Sequence, residues 1–531
     1  MRRFHTVEGL RSYLKSLRHD KTMGLVPTMG ALHQGHLSLI KDSVVENDLT
    51  VVTIYVNPLQ FSPTEDLDRY PHDGEKDRQL CEELGVDVVF VPTVEEMGGE
   101  MLATQVMPPE SMMSVLCGAS RPGHFSGVAT IVTKLFNIVQ PDRAYFGEKD
   151  AQQLAIIRRL VADLSIPVEI KACATVREAS GLAYSSRNQY LTPEQKSQAE
   201  ILAASLHEAK IAFAKGERAS SVLLEIVKTK LSTIPNVKVE YVALVHPDTL
   251  TPVAKIEEVG LLAIAAHVGS TRLIDNLILR HRRPIIAIDG PAGAGKSTVS
   301  RQVAQNLGLV YLDTGAMYRA VTWLVLNSGI AVDDEPAIAE LVSQAKLNLI
   351  PPDSPSSPVV VQINHQDVTQ AIRTPRVTAK VSAVAKLEVV RQAMVQQQRI
   401  WGKKGGLVAD GRDMGTNVFP DAELKIFLTA SATERAKRRL QDLRQQGQQE
   451  LSLEELEERI KKRDWLDSTR KISPLRKADT AIEISTDGLT IEEVIDKIIG
   501  LFEQKPEVIS QKSEVEQVST NKRIFLRDKY C

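Results

Sequence analysis

Short apolar runs alternate with helical patterns in the first part of the chain. Three continuous apolar runs have the length of strands: MGLVPT, LTVVTIYV and VDVVFVP. The segments between them, such as HLSLIKDSVVEN, place apolar residues at helical spacing. Continuous apolar runs are typical of strands buried on both faces, and their alternation with helices is typical of a parallel sheet. The pattern therefore predicts an α/β domain with crossover helices over residues 1–178.

The pattern changes after about residue 178. Longer amphipathic helical segments follow, for example Pro193 to Lys215, and then two strand-like runs, VKVEYVALV and LLAIAAHV. We expect a smaller second lobe over residues 179–282.

A second α/β pattern begins at the apolar run PIIAID, which leads into a glycine-rich turn. It predicts a separate domain over residues 283–502. Prolines and short β-like runs interrupt it in the stretch IPPDSPSSPVVVQINHQDVTQAIRTPRV, which predicts a small inserted lobe at about residues 345–378. Residues 503–531 are polar and charged, and we expect them to form a disordered tail.

Composition narrows the class of protein. The 531 residues are too many for one ordinary hydrophobic core. The 65 Lys and Arg residues nearly balance the 67 Asp and Glu residues, and this balance favours neither nucleic acid nor an anionic membrane as a partner. The start of the chain has no apolar export signal, and no apolar run approaches the ~20 residues of a membrane span. The four cysteines are scattered without a C-x-x-C pair. We therefore expect a cytoplasmic enzyme with reduced thiols.

The glycine-rich turn GPAGAGKST matches the phosphate-binding pattern G-x-x-x-x-G-K-[ST]. Its glycines allow backbone N–H groups to face phosphate oxygens, and the helix that follows presents its positive end. Lys296 is expected to reach the β- and γ-phosphates of ATP, and the Ser297 hydroxyl is expected to hold Mg²⁺. The predicted nucleotide contacts are Gly290, Gly293, Gly295, Lys296, Ser297 and Thr298.

Three further segments of this half contain clustered arginines and aspartates: LDTGAMYR, DGRDMGT and RDWLDSTRKISPL. In the last, Arg463, Asp467 and Arg470 are spaced at i, i+4 and i+7, so they share one helix face. Such a run alone is typical of a solvated salt-bridge face. Beside a phosphate-binding loop, the three clusters predict a second anionic substrate, because phosphoryl transfer depends on positioning and charge stabilisation.

In this order, the four motifs resemble bacterial cytidylate kinase over about residues 284–502. The resemblance implies transfer of the ATP γ-phosphoryl group to CMP or dCMP, with the inserted lobe binding CMP. It implies that cytosine contacts Ser382, Arg391 and Asp413, and that the sugar contacts Arg463 and Asp467. The implied phosphate contacts are Thr314, Arg319, Arg412 and Arg470. The stretch SATERAKRRLQDLR resembles the lid of this family, which implies that Arg435, Arg438 and Arg439 close over ATP.

The first half contains two histidines three residues apart, His33 and His36, after a predicted strand and a glycine turn in PTMGALHQGH. A histidine pair in a loop is more often structural than catalytic. If a helix begins there, however, both imidazoles lie near its positive end, which suits an α-phosphate under attack. Other polar residues follow predicted strands, at the edge where parallel sheets bind ligands: Asn57, Gln60, Lys149, Asp150 and Gln153.

Five motifs in sequence order resemble pantothenate synthetase (pantoate–β-alanine ligase) over about residues 1–280: PTMGALHxGH, VNPxQF, RPGHFxGV, FGEKDxQQ and SSRNxYL. The resemblance implies a Rossmann-like nucleotidyltransferase domain and a two-step reaction. The pantoate carboxylate attacks the α-phosphorus of ATP to give pantoyl adenylate and pyrophosphate. The amine of β-alanine then attacks the activated acyl carbon to give pantothenate and AMP.

The resemblance also implies residue roles. His36 is the implied proton donor with His33 beside it, Lys149 neutralises phosphate charge, and Asp150 binds ribose or Mg²⁺. Pantoate and β-alanine are implied to contact Gln60, Gln153, Asn57 and Arg121, with His124 nearby. The implied ATP contacts are Met29, Gly30, Ala31, Leu32, His33, Gln34, Gly35, His36, Gly147, Glu148, Lys149, Asp150, Val176, Tyr184, Ser185, Ser186 and Arg187. Tyr184 departs from the family pattern, which has Met at this position.

The leading hypothesis is therefore a bifunctional enzyme with ATP and Mg²⁺ at two independent sites, acting on small molecules and paired as a homodimer through its first half. One alternative makes the first half a different H-x-G-H transferase, such as a mononucleotide adenylyltransferase. Another makes one half a non-catalytic binding module. A switch GTPase is disfavoured because the chain has no N-K-x-D motif.

Overall fold

The computed structural model describes residues 1–19, 21–61, 73–99, 102–350, 359–445, 452–469 and 474–504. The chain divides into two compact units, Met1–His281 and Arg282–Cys531. Within the described ranges, no helix has both the length and the apolar character that crossing a membrane requires.

The first unit contains two sheets. Its strands are β1 (Arg2–Phe4), β2 (Met23–Thr28), β3 (Leu49–Ile54), β4 (Val88–Phe90), β5 (Arg143–Gly147), β6 (Glu169–Cys173), β7 (Val237–Val245), β8 (Val259–Val268) and β9 (Thr271–Arg280). The first six form a parallel sheet in the order β1-β4-β3-β2-β5-β6. The last three form an antiparallel sheet in the order β7-β8-β9.

Helices cover both faces of the parallel sheet. The helices of this unit are α1 (Val7–Leu17), α2 (Gln34–Glu46), α3 (Gly74–Glu83), α4 (Glu110–Met113), α5 (Cys117–Ser120), α6 (His124–Val139), α7 (Ala151–Asp163), α8 (Pro193–Ala199), α9 (Ile201–Ala214) and α10 (Ser220–Leu231). Leu25 and Val51 belong to one core cluster, whereas their neighbours Val26 and Val52 belong to another. Because successive strand residues face opposite sides, a sheet covered on both sides produces the continuous apolar runs seen in the sequence. The predicted α/β class is confirmed.

The segment predicted as one helix, Pro193 to Lys215, is two helices. The backbone N–H of Glu200 bonds to the carbonyl of Ser197, only three residues back, so the helix tightens there before α9 begins at Ile201. The antiparallel sheet packs Leu262 and Ile264 with these helices, while the alternate residues Leu261 and Ala263 pack in the cluster that contains helix α7.

The second unit is built around a five-stranded parallel sheet in the order β11-β15-β10-β16-β17. Its strands are β10 (Arg283–Asp289), β11 (Val310–Asp313), β12 (Leu347–Ile350), β13 (Val360–Ile363), β14 (Gln366–Asp367), β15 (Gly405–Gly411), β16 (Leu424–Thr429) and β17 (Ile482–Ser485). A small antiparallel sheet, β12-β13-β14, lies within the range where the inserted lobe is predicted, and the proline-rich residues 351–358 lie outside the described residues.

The second unit also buries its central strand on both faces. Ile285 and Ala287 of β10 belong to one core cluster, and Ile286 and Ile288 belong to the other. The helices are α11 (Lys296–Asn306), α12 (Thr314–Asn327), α13 (Glu335–Ser343), α14 (Pro375–Ala385), α15 (Glu388–Gly402), α16 (Ala432–Gln445), α17 (Leu453–Thr469) and α18 (Ile491–Glu503). Most of the predicted tail, residues 505–531, lies outside the described residues.

Candidate active sites

The paired histidines lie where α2 begins. His33 is the N-cap residue and its Nδ1 accepts from the Gly35 N–H at 3.1 Å, while Nδ1 of His36 accepts from the His33 N–H at 3.4 Å. Burial and then the charge of Lys149 lower the pKa of His33 to about 4, and burial and then His33 lower the pKa of His36 to about 3. Both rings are therefore neutral near pH 7. Since Nδ1 accepts in each ring, Nε2 carries the hydrogen.

A carboxylate that the sequence analysis missed holds the turn before the histidines. Asp77 accepts from the backbone N–H groups of Ala31 and Leu32, each at 2.8 Å. Gly30 has a φ of 85°, and a Cβ there would lie 3.0 Å from Asp77 Oδ2. Burial raises the pKa of Asp77, although its two backbone hydrogen bonds oppose that rise. The carboxylate therefore fixes the backbone that leads to His33.

The amide of Asn57 is occupied within the protein. Asn57 is 3% exposed; its Oδ1 accepts from the Leu59 N–H at 3.0 Å, and its Nδ2 donates to the Gly127 carbonyl at 3.2 Å. Nδ2 also lies 3.2 Å from Gln60 Oε1, and Gln60 Nε2 lies 2.8 Å from Met29 Sδ. Asn57 therefore fixes the turn that orients Gln60.

Arg121 and His124 hold the backbone of the same turn. His124 Nδ1 lies 2.7 Å from the Gln60 carbonyl oxygen, and Arg121 Nη2 donates to that oxygen at 3.3 Å. Arg121 Nη1 lies 3.1 Å from His124 Nε2. A histidine that donates through Nδ1 to a carbonyl accepts through Nε2, so the three groups form one consistent network.

Two cavities adjoin these residues. The histidine cavity includes the predicted residues His33, Gly35, His36, Gly147, Val176 and Tyr184. The arginine cavity includes the predicted residues Arg121, Ser185 and Arg187, together with Arg272. Lys149, Asp150 and Gln153 line both. The remaining predicted residues line neither cavity: Met29, Gly30, Ala31, Leu32, Gln34, Asn57, Gln60, Glu148 and Ser186.

Tyr184 lies against the first histidine. The two rings are stacked, with centroids 6.3 Å apart and planes 18° apart. The Tyr184 N–H donates to the Val176 carbonyl at 3.0 Å, which closes the loop that contains both residues. The departure from the family pattern thus places an aromatic ring in the wall of the histidine cavity.

Two neighbouring residues of β9 hold the segments around Lys149 and Val176. Asn276 Nδ2 donates to the backbone carbonyls of Glu148 and Lys149, and Asp275 accepts two hydrogen bonds from Arg177. These partners are about 100 residues or more apart in the sequence, so no local pattern could have identified them.

The phosphate-binding loop of the second unit has the predicted geometry. Gly290, Gly293 and Gly295 have φ values of 148°, 80° and 83°, and a Cβ at Gly290 would lie 2.0 Å from the carbonyl oxygen of Leu428. Lys296 is 6% exposed and donates to the Pro291 carbonyl at 2.7 Å. Burial, and then the charge of Arg412, lower the pKa of Lys296 to about 7. The buried lysine is therefore fixed to the backbone of its own loop.

The carboxylate of Asp410 accepts a hydrogen bond from the Ser297 hydroxyl of the phosphate-binding loop. Ser297 Oγ donates to Asp410 Oδ2 at 2.6 Å, and the Tyr311 hydroxyl donates to Asp410 Oδ1 at 3.0 Å. The Thr314 hydroxyl donates to the backbone carbonyl of Asp410 at 2.7 Å. Burial raises the pKa of Asp410, opposed by its bond from Ser297 and the charge of Lys296. The hydroxyl and the carboxylate form a set of hard oxygen donors.

The predicted acceptor residues are charged groups around this carboxylate. Arg391 pairs with Asp413 at 3.0 Å, and Arg412 pairs with Asp467 at 2.9 Å. Burial, and then the charge of Arg412, lower the pKa of Arg463. Asp410 bonds to Ser297 of the loop and to Thr314, and it lies two residues before Arg412, which pairs with Asp467. The phosphate-binding loop and these clusters therefore belong to one site.

The other predicted residues of this unit bond to other partners, are exposed, or lie outside the described residues. Arg319 Nη1 donates to the Thr378 hydroxyl at 2.8 Å, and Ser382 is exposed on α14. Arg470 lies outside the described residues. Arg435, in the predicted lid, bonds to the loop carbonyl of Ala292 at 3.2 Å, while Arg438 bonds to Thr486.

Asp289 was not identified by the sequence analysis. It ends β10 and accepts from the N–H groups of Met414 and Gly415 at 2.8 Å and 2.7 Å. Burial raises the pKa of Asp289 to about 6. It fixes the turn after Asp413 to the end of the central strand, in the same way as Asp77 fixes the turn of the first unit.

Comparisons with known proteins agree with both motif sets. The family model for pantoate-beta-alanine ligase matches residues 2–278, and the model for cytidylate kinase matches residues 286–504. A curated relative from Nostoc sp. is named bifunctional pantoate ligase/cytidylate kinase. It is 60% identical over 530 residues, and the match covers 95% of this chain and 99% of the relative. A relative of the same name from Synechocystis sp. is 58% identical over 506 residues, which cover 94% of this chain and 98% of the relative.

A solved structure matches the first half. The pantothenate synthetase of Thermus thermophilus is 45% identical with a TM-score of 0.50, and the match covers 52% of this chain and 99% of that chain. The alternative of a different H-x-G-H transferase is therefore not favoured. The matches span both halves, and the chain belongs to the bifunctional pantoate ligase/cytidylate kinase family.

Proposed function

We propose that the chain catalyses two ATP-dependent reactions at separate sites. The first unit joins pantoate to β-alanine through pantoyl adenylate, releasing pyrophosphate and AMP. The second unit transfers the γ-phosphoryl group of ATP to CMP or dCMP. The observation that carries the proposal is the presence, in one chain, of an assembled phosphate-binding loop and of a buried histidine pair that borders a cavity shared with Lys149.

In the proposed ligase reaction, ATP occupies the histidine cavity and pantoate occupies the arginine cavity. The two cavities meet at Lys149, Asp150 and Gln153, so the α-phosphate and the attacking carboxylate meet there. Lys149 offsets the charge that develops on the phosphate oxygens. Gln153, which lines both cavities, orients pantoate. Gln60 assists from the adjoining turn, whose carbonyl bonds to the cavity-lining residues Arg121 and His124 and which Asn57 also holds.

We propose that His36 acts as a neutral hydrogen-bond donor. Its Nδ1 accepts a backbone N–H, so Nε2–H is the group available to a phosphate oxygen. A fixed donor stabilises the charge of the departing pyrophosphate without a change of protonation state. The amine of β-alanine then attacks the acyl carbon from the arginine cavity, the acyl–phosphate bond breaks, and AMP leaves.

In the proposed kinase reaction, the loop N–H groups and Lys296 hold the ATP phosphates. Arg391 and Asp413 contact cytosine, with Ser382, and the chemistry fits because a carboxylate accepts from the cytosine amino group while a guanidinium donates to ring acceptors. Arg463 and Asp467 contact the sugar. The acceptor phosphate contacts Thr314, Arg319, Arg412 and Arg470.

The oxygen donors of the second unit suit Mg²⁺. Ser297 Oγ and the carboxylate of Asp410 are the groups that would hold it, since this cation prefers hydroxyl, carboxylate and phosphate oxygens. When bound, the ion neutralises phosphate charge. In the first unit, Asp150 is the corresponding candidate, because it lines both cavities.

The proposal is tested by supplying ATP with pantoate, with and without β-alanine, and following pyrophosphate and AMP. We expect pantoate alone to release one equivalent of pyrophosphate, and β-alanine to be required for AMP and turnover. Pyrophosphate release driven by nicotinamide mononucleotide instead of pantoate would identify a different transferase. CDP formation from CMP tests the second unit in the same preparation.

We also propose a cytoplasmic homodimer that pairs through residues 1–281. The cytoplasm is supported by Cys81, Cys117 and Cys173, which are buried free thiols. The dimer rests on the family resemblance, and the molar mass in solution tests it.

A further inference from the structure

We propose that β9, through Asp275 and Asn276, is the element that aligns the two chain segments of the ligase ATP site, so that both are positioning residues. One segment is the turn Glu148–Asp150, which carries Lys149. The other is the loop of residues 176–187. The inference rests on the proposed ligase function, because Lys149 and this loop are the proposed ATP contacts.

Asn276 holds the first segment through its backbone. Its side-chain amide donates one hydrogen bond to the Glu148 carbonyl at 3.0 Å and one to the Lys149 carbonyl at 2.8 Å. An amide nitrogen has two hydrogens, so both are used on two consecutive peptide units. Two bonds to consecutive carbonyls fix the direction of the turn from which the Lys149 side chain leaves.

Asp275, which is itself buried, holds the second segment through an ion pair with the partly exposed Arg177. It is 2% exposed and accepts from both terminal nitrogens of Arg177, at 2.7 Å and 2.8 Å. Arg177 also donates to the carbonyl of Gly181 at 3.0 Å, inside the loop. Asp275 Oδ1 further accepts the Asn276 backbone N–H at 2.8 Å, which links the two positioning residues.

The loop held by Arg177 is itself closed. The Glu178 N–H donates to the Leu182 carbonyl at 2.8 Å, and the Tyr184 N–H donates to the Val176 carbonyl at 3.0 Å. A closed loop moves as one piece, so a bidentate anchor at Arg177 sets the position of Val176 and Tyr184 together.

Strand β9, which carries both positioning residues, is paired along its whole length. All ten residues of β9 pair with β8, from Val259 opposite Arg280 to Val268 opposite Thr271. Successive side chains of a strand point to opposite sides, so two adjacent residues reach two different segments. Functional groups held by a paired strand are positioned more precisely than groups held by a loop alone. Lys149 and the loop are therefore held at a fixed separation.

The test compares Asn276→Asp with Asn276→Ala in the full chain. Asp has the same shape but turns oxygen atoms toward the two carbonyls, so we expect Asn276→Asp to lower the kcat for pantoate-dependent pyrophosphate release by about 100-fold, and more than Asn276→Ala does. The rate of CDP formation should not change. The matched control is Asn236→Asp, because the Asn236 side chain makes an exposed hydrogen bond to Gln198.

Substitution of Asp275 should change a different kinetic constant from substitution of Asn276. Asp275→Asn weakens the anchor of the loop but leaves Lys149 held, so we expect it to raise the KM for ATP in the ligase reaction with a smaller change in kcat. Hydrogen exchange of β7–β9 that matches the unsubstituted chain shows that each variant is folded.

A double-mutant cycle separates positioning from general stability. If Asn276 acts through Lys149, Asn276→Asp should cost little further rate when Lys149 is already Ala. Additive losses, or an Asn276→Asp chain that keeps its rate, would overturn the inference while leaving the ligase function intact. A chain whose unsubstituted form releases no pyrophosphate from ATP and pantoate would instead overturn the proposed function.

Discussion

At the scale of single residues, burial sets the charge states of both sites. His33 and His36 are neutral because burial and the nearby charge of Lys149 disfavour a second positive charge. In the second unit, burial lowers the pKa of Lys296 and raises the pKa of Asp410, and the charge of each group opposes the pKa shift of the other. Burial and the neighbouring charges together therefore set the electrostatics of both sites.

The first prediction concerns pH. Because the pKa of His36 lies at about 3, its ring is neutral and its Nε2–H is present at every pH near neutrality. Titration of His36 should therefore not change the rate of single-turnover pyrophosphate release from ATP and pantoate between about pH 6 and pH 8. A protonated imidazole with the ordinary pKa of 6.5 would lose roughly 20-fold in rate as the pH rises over that range. His36→Gln supplies the baseline. A His36-dependent fall toward pH 8 would contradict the neutral-donor assignment.

The second prediction concerns the buried pair Arg391–Asp413. Asp413→Ala leaves a buried cation unpaired, so we expect it to lower the free energy of unfolding of the second unit by about 3 kcal/mol and to raise the KM for CMP. Thermal unfolding and CDP formation measure the two effects.

A double variant separates stability from recognition. Arg391→Met with Asp413→Leu removes both charges, and replacing a whole buried pair by apolar residues is often neutral for stability. We expect this chain to recover most of the lost stability but none of the CMP binding. Recovery of both would show that the pair has no part in cytosine recognition.

At the scale of elements, each site contains a turn that follows a parallel strand and is fixed by a carboxylate distant in sequence. Asp77 holds the turn after β2, and Asp289 holds the turn after β15. Each carboxylate accepts two backbone N–H groups of its turn, so it fixes the course of the backbone that leads to His33 in one unit and away from Asp413 in the other. The glycines supply the remaining backbone freedom.

The third prediction concerns Gly290. Gly290→Ala would place a Cβ 2.0 Å from the Leu428 carbonyl oxygen at a φ of 148°, so the loop must shift. We expect CDP formation to fall at least about 100-fold, because misplacement of about 1 Å has that effect. Pantothenate formation should be unchanged.

The matched control is Gly500→Ala in α18. A Cβ at Gly500 meets no atom within 4 Å, so we expect normal CDP formation and a gain in stability of about 0.5–1 kcal/mol from helix propensity. A Gly290→Ala chain as active as the Gly500→Ala chain would show that the loop does not hold ATP.

Local patterns predicted the elements that carry the sites but not the contacts that hold them. Strands such as Met23–Thr28 and the loop around Lys296 have continuous apolar runs or fixed glycine spacing. The sequence pattern did not single out β9, because the buried Asp275 and the neighbouring Asn276 interrupt its apolar positions. Asp77 and Asn276 bond to backbone groups, and Asp275 bonds to the side chain of Arg177. These partners lie 45 to 128 residues away, and only the fold brings them together.

At the scale of the whole molecule, the chain consists of two compact units, each with its own parallel sheet and its own site. Every described residue proposed for the ligase lies in the first unit, and every described residue proposed for the kinase lies in the second. CMP is not an intermediate of pantothenate formation, so neither reaction depends chemically on the other. We therefore expect the two activities to be lost separately.

The most direct test measures pantothenate and CDP formation in the same preparations of Lys296→Ala and His36→Ala. Loss of a preorganised phosphate contact costs about 3–4 kcal/mol, so each change should lower its own reaction by at least about 100-fold. We predict that Lys296→Ala abolishes CDP formation and preserves pantothenate formation, and that His36→Ala does the reverse. Loss of both products after either single change would contradict the account of two independent sites.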